Sequence, residues 1–264
     1  MTPFYFGSGS RRLFGLYTPA RVGAVGNRAV VLCPAWGQEY LCAHRSMRQL
    51  ANMLNAAGFH VLRFDYFGTG DSAGDMTQGD LGGWEADIDT AIEELKDTCG
   101  ALRVALVGLR MGGTLAARVA ARRTADVDAL ILWDPVVDGC AYKEEIMRMG
   151  EQDARELGRS TERAADQGGG HEVLGFPLTE RLAEDFGKID LAAQIGSVRA
   201  RTAVVVSRPL AADSALAAAL ASGAGQPART IELIESQAAW INDDAEGAGA
   251  VPVKVLQRIV QCLA

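Results

Sequence analysis

Hydrophobic residues are spaced along the chain in two alternating patterns. Short apolar runs, typical of buried strands, are followed by longer segments in which apolar residues recur every three or four positions, as on one face of a helix. The predicted strands cover residues 4–6, 13–18, 29–33, 60–64, 104–107, 129–133, 202–207 and 231–234. Strands that alternate with helices predict an α/β fold, here an eight-stranded, mostly parallel sheet flanked by helices.

Helical periodicity fills most of the intervals between the strands. The clearest example is the stripe of Trp84, Ile88 and Leu95, which ends at Gly100. Further helices are predicted at residues 44–57, 114–123, 142–157 and 213–221 and from Pro252 onward. Residues 138–188 break the alternation because they are charged and helix-prone. We expect them to form a cap or lid that is inserted into a core of residues 1–137 and 189–264.

Composition narrows the class of protein. The 264 residues are 48% hydrophobic and 22% charged, which is typical of a globular chain. A formal net charge of −7 argues against a surface for nucleic acid or anionic lipid, because both need a clustered positive field. No apolar run approaches the roughly 18 residues of a membrane span, and the first residues lack the features of a secretory signal. We therefore expect a cytoplasmic protein with no nucleic-acid partner and no membrane span.

Neither a metal nor a cofactor is predicted. The five cysteines are scattered without a C-x-x-C pair, as in proteins with reduced thiols, and the three histidines show no zinc-ligand spacing. Gly68 and Gly70 lack the strand–glycine–helix context of a dinucleotide-binding fingerprint. Any chemistry must therefore come from the side chains and backbone of this chain.

The most informative segment joins the apolar strand 104–107 to the helix that follows it. It contains Gly108, Arg110 and Gly112 in the spacing of the nucleophile elbow G-x-S-x-G. Small residues on both sides of the centre allow a strained residue to project from the carboxyl edge of a sheet. The pattern predicts that Arg110 lies on a tight turn directly after a central strand.

Three further segments extend this likeness. Residues 33–39, Cys-Pro-Ala-Trp-Gly-Gln-Glu, stand where hydrolases carry their oxyanion loop, and residues 65–72 match D-x-x-G-x-G-x-S. Residues 133–137, Trp-Asp-Pro-Val-Val, follow the sixth strand. With the elbow, these segments make residues 10–140 resemble the α/β-hydrolase superfamily, and in particular the serine aminopeptidase-like and exosortase-associated hydrolases. The resemblance implies the α/β-hydrolase fold with a cap and, by family analogy, an acyl carrier protein as a possible partner.

The chain departs from that family at the positions that carry its chemistry. Arg110 stands at the nucleophile position, and a guanidinium, which stays protonated, cannot attack a carbonyl. The family's histidine should follow the last strand, where residues 236–242 contain none, and only Asp213 is available as an acid after the seventh strand. Loss of the serine or the histidine costs on the order of 10⁶ in turnover, so ordinary serine hydrolysis is not expected. The remaining catalytic candidates are Asp134, His44 and Cys33.

The elbow keeps the means to bind an anion. The resemblance implies that the Trp36 and Met111 amides form the oxyanion hole. The helix that begins near Met111 adds its positive end, and Arg110 adds a fork of donors. We expect a small acyl, carboxylate, phosphate or sulfonate group to bind here, on Trp36, Gly37, Glu39, Arg110 and Met111.

Arg110 also has a purely structural interpretation. A charge that is partly buried under a cap costs several kcal/mol unless it is paired. Glu39 or Asp134 could supply the partner, which would make Arg110 an internal strut without a ligand. The strut and the anion anchor both remain open from the sequence.

Two functional hypotheses follow. The first is an α/β-hydrolase-fold protein that lacks the Ser–His pair and handles a small acyl or carboxylate-bearing ligand in a pocket under the cap. Trp36, Trp133, Met147 and Met149 are candidates for the pocket wall, whereas Glu145 is expected on the solvated face of its helix. The second hypothesis is a non-catalytic pseudo-hydrolase that acts as a binding or scaffold partner.

Overall fold

The computed structural model describes residues 1–21, 27–158, 169–209, 213–221, 229–241 and 249–264. Its strands are, in chain order, Thr2–Phe6 (β1), Leu13–Thr18 (β2), Ala29–Cys33 (β3), His60–Phe64 (β4), Val104–Leu109 (β5), Val127–Trp133 (β6), His171–Val173 (β7), Phe176–Leu178 (β8), Arg201–Val206 (β9) and Arg229–Leu233 (β10). Its α-helices are Gln38–Ala56 (α1), Leu81–Cys99 (α2), Met111–Arg122 (α3), Gly139–Leu157 (α4), Glu180–Gly187 (α5), Leu191–Gln194 (α6), Asp213–Ala221 (α7) and Val253–Leu263 (α8). Short 3₁₀ turns occupy Met76–Gln78 and Ile195–Ser197.

Eight of these strands form one sheet in the order β1-β2-β4-β3-β5-β6-β9-β10, and β7 pairs with β8 as a separate hairpin. β2 is antiparallel to both of its neighbours, and all the other neighbouring strands of the sheet are parallel. The predicted eight-stranded, mostly parallel sheet is confirmed. In such sheets the loops at the carboxyl ends of the parallel strands carry the functional residues.

The middle of the sheet is buried on both faces. Every residue of β3 and β5 is buried, because α2 and α3 cover one face while α1 and α8 cover the other. Trp84 and Leu106 belong to the core on the first face. Leu54, Val107 and Ile259 belong to the core on the second. This double burial explains why β5 reads as a continuous apolar run.

Between β6 and β9 the chain leaves the sheet and forms α4, the β7–β8 hairpin and α5. Asp138 caps α4 by accepting a hydrogen bond from the Ala141 amide. Phe176 and Phe186 contact the ring of Trp36, with centroids 6.3 Å and 5.4 Å apart. These elements therefore lie against the loop after β3, at the carboxyl edge of the sheet. The division into a core and a cap of residues 138–188 stays a prediction.

Two helices begin earlier than the hydrophobic pattern predicts. α1 begins at Gln38 rather than at residue 44, and α3 begins at Met111 rather than at residue 114. Polar Gln38 and Glu39 open α1, and Gly112 and Gly113 open α3, so neither first turn carries apolar periodicity. Both helices consequently bring their amino ends up to the carboxyl edge of the sheet.

Candidate functional site

The turn between β5 and α3 holds Arg110 in a strained conformation. Its φ is 52° and its ψ −121°, outside the regions that a residue with a side chain ordinarily adopts. Glycines make the turn possible, because a Cβ on Gly108 would lie 2.4 Å from the Gly112 carbonyl oxygen. A Cβ on Gly112 would lie 2.2 Å from the carbonyl oxygen of Pro34. The strand, the turn and the helix thus have the geometry of a nucleophile elbow, packed against the loop after β3.

The Arg110 side chain turns into the protein and is held by two carboxylates. Its Nε donates to Glu39 Oε1 at 2.7 Å, and its Nη2 donates to Glu145 Oε2 at 3.3 Å. Arg110 is only 2% exposed, so these contacts replace its hydration. Of the two partners expected from the sequence, Glu39 is the one present.

The Arg110–Glu39 pair is enclosed by aromatic groups. The guanidinium carbon lies 3.8 Å from the ring centroid of Trp240 and 5.3 Å from that of Tyr142. The Tyr142 hydroxyl donates to the second oxygen of Glu39 at 3.0 Å. Face-on contact of this kind stabilises a cation that has been removed from water.

Burial and ion pairing shift the pKa values of Glu39 and Arg110 in opposite directions. Burial raises the pKa of Glu39, while Arg110 and the Tyr142 hydroxyl act against that rise. Burial on its own would lower the pKa of Arg110, but the charges of Glu39 and Glu145 outweigh it and leave that pKa raised. Arg110 therefore stays protonated and cannot serve as a base.

Asp134 is not the partner of Arg110, contrary to that alternative. It follows β6 with a φ of 43° and is fully buried. Its carboxylate accepts hydrogen bonds at 2.6 Å from both the amide and the hydroxyl of Ser207, and at 3.1 Å from the indole N–H of Trp240. Ser207 immediately follows β9, so Asp134 joins the ends of two neighbouring strands to the loop after β10. These three donors are all neutral.

Glu145 of α4 is not on a solvated face, contrary to expectation. One of its oxygens meets Arg110, and the other accepts from Arg208 Nη2 at 3.3 Å. The Arg208 guanidinium in turn lies 4.5 Å from the Trp240 ring centroid. Two carboxylates, two guanidinium groups and one indole thus form a single network that ties α4 to the elbow.

A cavity of about 220 Å³ lies beside this network. Its wall is mostly apolar and aromatic, with a few polar side chains, and consists of Trp36, Gln38, Glu39, Tyr142, Ile146, Met149, Asp153, Val173, Leu174 and Trp240. None of the described residues in this wall is basic. The expected wall residues Trp36 and Met149 are present. Trp133 and Met147 are not, because Trp133 is fully buried on the α1 face and Met147 packs against the core instead.

The other expected ligand-binding residues lie around the elbow. Gly37 has a φ of 63° and precedes the first residue of α1, and Met111 is the buried first residue of α3. Neither the Trp36 amide nor the Met111 amide has a hydrogen-bond acceptor among the described residues. These two N–H groups are consistent with the oxyanion loop that the sequence suggests, whereas Arg110 itself does not line the cavity.

The remaining catalytic candidates are not brought to the elbow as reactive groups. Cys33 ends β3 fully buried, and burial raises the pKa of its thiol. His44 is exposed on α1 beside Tyr40, with ring centroids 6.5 Å apart. The side chain of Asp213 and residue 242 lie outside the described residues. Among the described residues, no three His, Cys, Asp or Glu side chains gather as metal ligands.

Tyr142, Glu145 and Trp240 carried no sequence signal for their places around Arg110. Tyr142 and Glu145 belong to an amphipathic helix whose orientation over the sheet cannot be read from its periodicity. Trp240 stands in the segment after the last strand, where the resemblance predicts a histidine. Its position between the two guanidinium groups depends on the return of the chain after β10.

Comparison with known proteins identifies the architecture. The model of the family described as serine aminopeptidase, S33 matches residues 29–165. Comparison with curated proteins gives no match. Est1E from Butyrivibrio proteoclasticus, solved with ferulic acid bound, is 15% identical over 98% of this chain and 96% of its own, with a TM-score of 0.69.

Two further solved structures have the same fold. The Pyrococcus furiosus esterase PF2001 is 15% identical over 99% of this chain and 89% of its own, with a TM-score of 0.67. A thioesterase domain from the curacin biosynthetic pathway is 14% identical over 100% of this chain and 98% of its own, with a TM-score of 0.62. At this level of identity the likeness concerns the fold. Among the described helices, none has the length and apolarity to cross a membrane.

Proposed function

The chain belongs to the serine aminopeptidase, S33, family of α/β-hydrolases, and we propose that it binds a small acyl ligand in this fold without cleaving it by serine chemistry. In this proposal Arg110 occupies the nucleophile position, and Trp240 fills the space that a general base would need. The protein is then a pseudo-hydrolase. The Gly-Leu-Arg elbow and residues 133–137 are the grounds for placing it among the exosortase-associated members of the family.

The state of Arg110 carries the proposal. The only side chain on the elbow turn that could meet a carbonyl is 2% exposed, permanently charged and engaged by Glu39 and Glu145. Acyl transfer needs a nucleophile within hydrogen-bond reach of a base. Neither Arg110 nor Trp240 can give up or accept a proton in that way.

The wall of the cavity favours an acyl group over a carboxylate. Its apolar side chains Ile146, Met149 and Leu174 suit a hydrocarbon chain, and two carboxylates, those of Glu39 and Asp153, are among its described residues. A carboxylate-bearing ligand would require Arg110 to leave Glu39, and breaking such a buried pair costs about 3–5 kcal/mol. We therefore place the neutral carbonyl of an ester or thioester at the Trp36 and Met111 amides.

A carrier-bound thioester is included among the proposed ligands. The support is analogy, because the curacin-pathway protein of the same fold is a thioesterase domain. An acyl carrier protein would then be the partner, and its thioester the group that enters the cavity. The five free cysteines support a reducing, cytoplasmic location for this encounter.

The test compares binding with turnover on the same ligands. We expect no hydrolysis of p-nitrophenyl or CoA esters and no labelling by a fluorophosphonate probe, together with a saturable rise in melting temperature with short acyl esters. A ligand at 100 times its dissociation constant adds about 2.7 kcal/mol of stability. Met149→Trp should fill the cavity and abolish the rise in melting temperature. Arg148→Trp, at the preceding and exposed position of α4, should leave that rise unchanged.

The second hypothesis, a scaffold without a ligand, is favoured by one observation. Every charged group of the Arg110 network already has a partner within the protein. If no ester, thioester or acid raises the melting temperature, the scaffold becomes the better interpretation. Turnover of any ester, or a labelled serine, would contradict both.

A further inference from the structure

A second cavity, of about 120 Å³, lies between α1 and the β2–β4 side of the sheet. Pro34 and Ala35 line it, whereas the next residue, Trp36, lines the first cavity. Likewise Tyr40 of α1 faces the second cavity and Glu39 faces the first. The two cavities are therefore distinct spaces on either side of the loop after β3 and the first turn of α1.

The inner wall of this cavity contains one positive charge in an apolar row. Arg63 of β4 is paired with Leu16 of β2 on one side and Leu32 of β3 on the other, and all three line the cavity. Among the described residues, the buried Arg63 Nε has no hydrogen-bond partner, and the guanidinium makes one contact, from Nη2 to the sulfur of Met1 at 3.8 Å. No carboxylate of a described residue lies within ion-pair distance of it.

Two carboxylates, those of Asp65 and Asp71, also line this cavity, but neither lies within ion-pair distance of Arg63. Asp65 follows the last residue of β4 and also lines the cavity, but it forms no ion pair with Arg63. Its oxygens accept hydrogen bonds from the Tyr40 hydroxyl at 2.7 Å and from the Asp71 amide at 3.1 Å. The exposed Asp71 carboxylate also lines the cavity and has no partner among the described residues. The cavity thus offers a cation and an anion separated by a gap.

We propose that this cavity binds a small aliphatic zwitterion of the α-amino-acid type. Its carboxylate pairs with the guanidinium of Arg63, its ammonium group lies toward Asp71, and its side chain packs on Leu16, Leu32 and Met47. A cavity of 150 Å³ holds benzene, so this one encloses about five non-hydrogen atoms, and the ammonium end of a slightly larger ligand extends toward the exposed Asp71. The ligand carboxylate would supply a counter-charge to Arg63, which has no carboxylate of a described residue within ion-pair distance.

Three matched probes test the proposal by isothermal titration calorimetry on the full chain at neutral pH. L-Valine carries both charges, isovalerate lacks the amine, and isobutylamine lacks the carboxylate. We expect saturable binding of valine and at least tenfold weaker binding of either analogue, because each analogue loses one charge-assisted contact. Equal binding of valine and isovalerate would overturn the zwitterion, and no binding of valine would overturn the site.

Variants locate the site. Arg63→Met and Asp71→Asn should each weaken valine binding at least tenfold, and Asp71 is exposed, so its replacement does not endanger the fold. Arg48→Met is the matched control, since Arg48 is exposed on α1 and does not line the cavity. Met149→Trp, which fills the first cavity, should also leave valine binding unchanged. If both Arg63→Met and Asp71→Asn bind valine like the parent chain, the proposal is wrong.

Discussion

Arg110 combines a positive φ with a buried charge, and both are costly. Its backbone conformation costs on the order of 1–3 kcal/mol, and an unpaired charge at this depth would cost several more. Glu39 and Glu145 offset the charge, and the Trp240 ring covers one face of the guanidinium. The burial of Arg110 therefore depends on Glu39, Glu145 and Trp240.

Replacing Arg110 tests this dependence. We expect Arg110→Met to lower the free energy of unfolding by about 3–5 kcal/mol, because Glu39 is then buried without a counter-charge. Arg118→Met is the control, since Arg118 is a third exposed in its ion pair with Glu85, and we expect it to cost less than about 1 kcal/mol. Urea denaturation of both variants measures the difference. Equal midpoints for Arg110→Met and the parent chain would exclude the strut.

Cys33 provides a second prediction at this scale. Because burial raises the pKa of its thiol, it should remain unlabelled by iodoacetamide at pH 8 in the native protein. Cys140 is exposed and serves as the internal control that reacts under the same conditions. Peptide mass spectrometry gives the extent of labelling at each site. Labelling of Cys33 as fast as Cys140 would instead mark it as a nucleophile.

At the scale of elements, periodicity predicted the order of the strands and helices but not the starts of the two helices that shape the site. β5 and α2 could be predicted from the sequence. β5 is buried on both faces and is therefore apolar throughout, whereas α2 packs on one side and carries a regular apolar stripe. Gly112 weakens the helical pattern of α3, yet only glycine fits against Pro34. The need for glycine at position 112 comes from a contact with a distant part of the chain, so it cannot be predicted from the residues of α3 alone.

Glu145 ties α4 to Arg110 and Arg208. We expect Glu145→Gln to loosen α4, because its contacts with Arg110 and Arg208 both lose their charge. Charge-assisted contacts are worth about 1.5–3 kcal/mol, so amide hydrogen exchange within α4 should accelerate about tenfold or more. Glu144→Gln, one position earlier and exposed, is the control. Exchange that is equal in the two variants would mean that Glu145 does not hold the helix.

At the scale of the whole molecule, the site brings together residues that are far apart in the chain, and their proximity cannot be predicted from local sequence patterns. The sequence placed Glu39 near Arg110 because the loop after β3 and the elbow occur at the same edge in all sheets of this type. It could not place Trp240, Tyr142 or Glu145, because their positions follow from the path of the chain after β10 and from the packing of α4. The pairing of Asp134 was misjudged for the same reason, since its donors come from Ser207 and Trp240.

These long-range contacts suggest how the site could be given catalytic groups. Trp240 donates a hydrogen bond to Asp134 and lies face-on to Arg110. It therefore stands between a carboxylate and the elbow residue, as the histidine of a catalytic triad does. We expect Arg110→Ser with Trp240→His to hydrolyse short p-nitrophenyl esters at least about 10²-fold faster than Arg110→Ser alone, as a general base contributes 10²–10⁴-fold. Both variants carry Glu39→Gln so that no carboxylate is left unpaired.

The control for this construction replaces Trp240 by a ring without a base. Arg110→Ser with Trp240→Phe and Glu39→Gln should match Arg110→Ser with Glu39→Gln in rate. Fluorophosphonate labelling of the introduced serine, per folded molecule, gives an independent readout. If the histidine variant is no faster than the phenylalanine variant, Trp240 does not occupy the position of a base.

The contacts around Arg110 also bear on the rates at which the chain folds and unfolds. They connect positions 35, 71 and 106 residues apart, so each closes a long loop. They also need the elbow, α4 and the segment after β10 to be in place together, so we expect them to form late on the folding path. Interactions absent from the transition state slow unfolding without accelerating folding. The network is therefore expected to lengthen the lifetime of the native state, a kinetic benefit that remains even if the cavity beside it never holds a ligand.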